Sequence, residues 1–163
     1  MTKGRDIIVT ENKKTELMNN HDIWNVMVSI MAEYNFPAEN ETANKVYMVY
    51  NYYSEMESGG HEGLFHWFSW YIEEVGGHQY FAELIRILKD INADAYALIE
   101  EKYGEKLWNL FQALENGEIP EEAFYSLNTK ADEEYNQLSG KLEDLLENYF
   151  VDIYRELIEV MED

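Results

Sequence analysis

Apolar residues recur along this chain at the spacing of an α-helix and nowhere over a useful length at the alternating spacing of a strand. Over 16–34, Ile23, Val26, Met27, Ile30, Met31 and Tyr34 share one helical face. The segment NFPAEN interrupts this pattern, because Pro37 excludes helical geometry at Phe36. A second helix is expected over 39–57 with Val46, Val49, Tyr50, Tyr53 and Met56 inward, and Ser58-Gly59-Gly60 should end it in a left-handed cap. A short aromatic helix over 62–74 follows, then a break at Gly76-Gly77 and a helix over 80–91 carrying Leu84, Ile87, Leu88 and Ile91.

Asn92 is a plausible N-cap for the next helix, which should end at Gly104. A further helix is expected over 106–116, closed by Gly117, and Pro120 suits the first turn of another. The longest helix is expected over 129–161, with Leu138, Leu142, Leu145, Tyr149, Ile153, Leu157 and Met161 as its stripe. Gly140 inside it costs ~1 kcal/mol relative to Ala and should mark a kink. The expectation is an all-α, single-domain helical bundle of about seven helices with a long C-terminal helix. It occupies 15–163 behind a flexible tail, 1–14, in which DIIVT could pair as a lone strand.

A chain of 163 residues with 46% hydrophobic composition can bury a real core, so its high charge does not imply disorder. It has no cysteine, which excludes disulfides, thiolate metal sites and a thiol nucleophile. No apolar run suits a signal peptide or a membrane span, and a cytoplasmic location is the expectation.

The net charge of −21 sets the class of partner. On a folded protein of this size it amounts to one net negative charge per ~400 Å² of surface. Such a surface repels nucleic acid and anionic lipid and attracts basic proteins at long range. The competing reading is that the charge only keeps the chain soluble.

The stretch YYSEMESGGHEGLFHWFSWY, residues 52–71, is the one place that hints at catalysis. His61-Glu62 and His66 approach a zinc-protease motif, but the histidines are one residue too far apart. At ~100° per residue the second ring is ~140° away from the first. Ser54, Ser58 and Ser69 lack the frame of a nucleophile elbow, and the Gly-Gly pairs form no phosphate loop. No catalytic residue, cofactor or metal ligand is therefore expected. Ser58, Gly59 and Gly60 are read as a structural turn, and Phe65, Trp67, Phe68, Trp70 and Tyr71 as an aromatic core. A base-stacking platform is disfavoured, because residues 52–75 contain no Lys or Arg.

Together these segments resemble the DMP-type family of small acidic bacterial proteins, named for a member that acts as a DNA mimic. The resemblance lies in YNYYSEMESGGHEGLFHWFSWY, ILKDINADAYALIEE and ADEEYNQL, over 47–154. The family pattern has Asn where Ser58 and Trp70 stand, and Gly where Asn92 stands. Membership implies an all-α fold and, for the named member's role, mimicry of DNA.

The first functional expectation is therefore a non-enzymatic acidic protein that occupies the DNA-binding surface of a transcription factor or nucleoid protein. Glu143, Asp144, Glu147, Asp152, Glu156 and Glu159 would form the partner-binding stripe. The alternatives are an immunity or antitoxin-like inhibitor of a basic toxin nuclease, and a small-ligand binder or enzyme with a pocket near Ser58, His61 and His66. Direct nucleic-acid and membrane contacts are not expected; a homodimer is open.

Overall fold

The fold is taken from a computed structural model, which describes residues 10–161. Among the described residues six α-helices account for most of the chain: α1 (Asn20–Glu33), α2 (Glu41–Val75), α3 (Gly77–Asp90), α4 (Asp94–Glu115), α5 (Glu121–Gln137) and α6 (Lys141–Ile153). Strands β1 (Thr10–Lys13) and β2 (Ile158–Met161) pair in parallel, with Thr10 opposite Ile158 and Lys13 opposite Met161. The fold is an all-α bundle carrying this one small ribbon. Of the expected tail, residues 1–9 lie outside the described residues, as does most of DIIVT; Thr10–Lys13 is strand rather than tail.

The described chain divides into two compact units, one of residues 10–50 with 143–161, the other of Asn51–Leu142. In the first, Asn19 caps α1 by accepting the N–H of Asp22, and Asn40 begins α2 by accepting that of Ala43 at 3.0 Å. Between these helices Asn44 clasps the connection. Its amide donates to the Ala38 carbonyl at 2.7 Å, and its oxygen accepts the Tyr34 O–H at 2.6 Å. The core is Ile23, Met27, Ile30 and Met31 of α1 against Val46, Val49, Leu146 and Phe150, with Trp24 edge-on to Tyr50 and 5.2 Å from Phe150.

In the second unit, Phe65 meets the rings of Phe81, Trp108, Phe111 and Phe124 at centroid separations of 5.5–6.5 Å. Four helices thereby converge on one side chain. Leu84, Ile87, Leu88 and Ile91 of the α3 stripe are all buried, as expected.

Four boundaries differ from the sequence reading. The helix expected to end at Ser58-Gly60 bends there and continues, because only Gly60 leaves helical geometry. Asn92, expected to open α4, instead stops α3: its φ of 67° is left-handed, and the following Ala93 N–H bonds back to the Leu88 carbonyl. Gly104 ends nothing. It is buried within α4, where a Cβ would fall 2.5 Å from the Phe81 ring, so its bare backbone lets α3 and α4 approach. The long C-terminal helix is likewise not formed. Ser139 (φ 55°) and Gly140 (φ 74°) are left-handed and end the helical run between α5 and α6, and a 3₁₀ turn then leads from α6 to β2. Its buried face is Leu142, Leu146 and Phe150, with Leu145, Tyr149 and Ile153 half-buried and Met161 exposed.

Candidate functional site

His61, which follows the bend at Gly60, is one of four buried polar residues among the described residues. Gly60 has φ 66° and ψ −160°, a conformation open essentially only to glycine, and a Cβ there would fall 2.3 Å from Asp132 Oδ2. The bend brings His61 beneath α4 and α5 with no exposed surface. Its Nε2 lies 2.9 Å from both carboxylate oxygens of Glu100, and its Nδ1 lies 2.7 Å from Oδ1 of Asp132. The same Asp132 oxygen accepts the backbone N–H of His61 at 3.1 Å. Tyr52 donates to Glu100 Oε2 at 2.5 Å, and Asn128 donates to the other Asp132 oxygen at 3.3 Å.

Burial opposes a charged imidazole, but the Glu100 charge, the hydrogen bonds to Asp132 and Glu100, and the Asp132 charge outweigh it and raise the His61 pKa to about 9. At neutral pH His61 is therefore an imidazolium donating from both nitrogens. Burial, reinforced by Glu100, pushes the Tyr52 hydroxyl well above its ordinary range, so it remains a neutral donor. A histidine with both nitrogens donating to carboxylates and no exposed surface is not placed to take a proton from a substrate. What the arrangement does is tie α2, α4 and α5 together through one buried cation.

A hollow of about 220 Å³ lies beside the bend, lined by Ser58, Gly59, Gly60, Asp132, Tyr135 and Asn136 among others. Neither His61 nor His66 lines it, so the histidine pair that a pocket near the Gly-Gly stretch would need does not converge. His21, His66 and His78 are exposed, and His78 pairs with Glu105 at 2.9 Å. Among the described residues no group of His, Cys, Asp and Glu side chains is arranged to hold a metal ion.

The acidic residues lie mostly at the surface. Among the described residues Glu100 alone of the carboxylates is buried. Two others are held by tyrosine hydroxyls, Tyr125 donating to Glu62 at 2.6 Å and Tyr135 to Glu57 at 2.9 Å; Glu134 accepts from Tyr103 and also pairs with Lys102 at 3.1 Å. A hydroxyl orients a carboxylate without cancelling its charge. Burial pushes the Tyr135 hydroxyl far up and the Glu57 contact adds to it; the Glu62 hydrogen bond does the same for Tyr125. Both therefore stay neutral.

Of the expected partner-binding residues, Glu143, Asp144 and Asp152 are exposed on α6 and Glu147 is half-buried there. Glu156, exposed in the 3₁₀ turn, accepts a hydrogen bond from Thr42 at 3.0 Å, and Glu159 is exposed in β2. Because helical phase ends at Ile153, the six do not form one helical stripe. In the structural set, Ser58 and Gly59 are exposed and Phe65 and Phe68 are buried. Trp67 and Trp70, expected in the core, are 67% and 49% exposed. Five aromatics crowded into seven positions cannot all face inward on one helix.

A family model described as DMP19-like protein matches residues 38–156. The chain belongs to the DMP19-like protein family. No curated protein and no solved structure matches it. The matched span begins earlier than the segments that suggested the family, and within it lie the whole His61–Glu100–Asp132 cluster and α2 to α6. Among the described residues no helix of this DMP19-like protein is long and apolar enough to cross a membrane.

Sequence reasoning missed Glu100 and Asp132. Their signal was phase. Glu100 occupies the same helical face as Tyr96, Tyr103 and Leu107, all buried, and a carboxylate in the core phase of an amphipathic helix needs a buried partner. Asp132 follows Asn128 by four positions and precedes Tyr135 by three, again on a buried face.

Proposed function

We propose that this DMP19-like protein is a non-enzymatic, cytoplasmic regulator that occupies the DNA-binding face of a basic protein, such as a transcription factor or nucleoid protein. The carrying observation is the treatment of its charge: all the described carboxylates but Glu100 lie at or near the surface, and two of them, Glu57 and Glu62, are oriented by neutral tyrosine hydroxyls.

The mechanism is competition. Carboxylates at i and i+4, such as Glu143 and Glu147, rise ~6 Å along a helix, comparable to the several-ångström separation of successive phosphates on one strand. Asp144, Asp152, Glu156 and Glu159 are further exposed carboxylates on α6, the 3₁₀ turn and β2. While the partner's Lys and Arg side chains face these groups they cannot pair with phosphate, and salt should weaken the complex as it weakens protein–DNA binding. Family membership supports the reading.

The test is capture from host lysate on the immobilised protein at low salt, with elution by a duplex oligonucleotide. Release of a DNA-binding protein by the duplex is the expected result. Capture of a single nuclease would assign the chain instead to the inhibitors of toxin nucleases, and capture of no basic protein would reduce the charge to a solubility feature.

A further inference from the structure

The outer face of the second half of α2 combines features found together nowhere else among the described residues. Beyond Gly60, positions Trp67, Trp70 and Glu74 follow one another at helical spacing on the side opposite buried Phe65, Phe68 and Ile72. Trp67 is 67% exposed and Trp70 49% exposed, and Glu73 and Glu74 are exposed one turn further on. The His66 ring stands edge-on to Trp67 at 4.8 Å. No Lys or Arg occurs from Tyr52 to Val75.

Two exposed indoles beside carboxylates select one kind of occupant. An apolar partner surface would bury Glu73 and Glu74 without counter-charges, which costs more than the indoles return. A second copy of this chain would bring another −21 charge and oppose these carboxylates with like groups. An arginine satisfies both features: its planar, weakly hydrated guanidinium stacks on an indole while its N–H groups pair with a carboxylate, which the compact, strongly hydrated lysine ammonium does less well. Tryptophan–arginine contacts are also where interface energy concentrates.

We infer that Trp67 and Trp70, with Glu73 and Glu74, form an arginine-binding face that anchors the basic partner. This rests on the proposed function and makes it specific: the partner presents arginine, not merely positive charge, to this face. It adds a short-range component to an otherwise diffuse electrostatic attraction.

The test uses hexa-arginine and hexa-lysine peptides with the full chain at low salt, comparing wild type, Trp67→Ala/Trp70→Ala and Glu73→Gln/Glu74→Gln. Both indoles are exposed, so circular dichroism should show an intact fold in the first variant. Wild type should bind the arginine peptide more tightly. The Trp variant should lose about tenfold for arginine and less than about twofold for lysine, and the Glu variant should weaken both. Equal binding of the peptides with no effect of the Trp variant would overturn the arginine face while leaving the acidic-surface reading intact. Failure of both peptides to bind at low salt would overturn both readings. Self-association of the wild-type chain that the Trp variant abolishes would overturn the inference in favour of a second copy.

Discussion

His61 and Glu100 meet with the imidazole Nε2 2.9 Å from both carboxylate oxygens, in a place where neither side chain is exposed to solvent. The contact joins α2 to α4, and its partner contact to Asp132 joins α5. A buried cation of this kind holds a fold in register only while it is charged.

Stability should therefore fall as the solution becomes alkaline. The His61 pKa of about 9 in the fold stands above its ordinary 6.5, so the folded state binds the proton more tightly. The stabilisation is complete below pH 6.5 and is lost as pH rises toward 9, a difference on the order of 3 kcal/mol if His61 acts alone. Urea denaturation across that interval measures it, and the slope should vanish in a His61→Gln variant that still folds.

Replacing Glu100 by Gln leaves the imidazolium facing Asp132 and an amide. Removal of one partner from a buried charge pair costs about 3–5 kcal/mol, and the His61 pKa should fall toward its unperturbed value. Both are measurable, by denaturation and by titration of the imidazole proton resonances.

The adjacent glycines of the bend should respond with opposite sign. Gly59 is helical and exposed with nothing near a Cβ, so Gly59→Ala should stabilise by about 0.5–1 kcal/mol through helix propensity. Gly60→Ala forces a Cβ into a glycine-only conformation and against Asp132, and should destabilise by about 2 kcal/mol or more. Equal effects at the two positions in thermal denaturation would contradict the assignment of the bend to Gly60.

The helical class was legible because amphipathic periodicity is local, and the α1 and α3 faces follow it closely. What was not legible depended on partners far along the chain. Nothing near Gly104 announces that Phe81 must pack on it, and nothing near Leu157 shows that Ile158–Met161 will pair with Thr10–Lys13. The break at Ser139-Gly140 was visible as a glycine but not as a left-handed pair. In a chain with 33 acidic residues, Glu100 and Asp132 could be singled out only by their core phase. Trp67 and Trp70 were misplaced because density of aromatics reads as burial until the helix has a direction.

Competition of this surface with DNA through its charge is tested most directly by the salt dependence of the complex. The DNA-binding protein released by duplex elution is titrated with wild type and with the Asp144→Lys/Asp152→Lys/Glu159→Lys variant across 50–200 mM salt, a range over which multi-phosphate contacts weaken by about 10³-fold or more. If the surface competes through charge, the logarithm of affinity falls linearly and steeply with that of salt, and the variant binds about tenfold more weakly at the low-salt end. An affinity indifferent to salt and to charge reversal would contradict it.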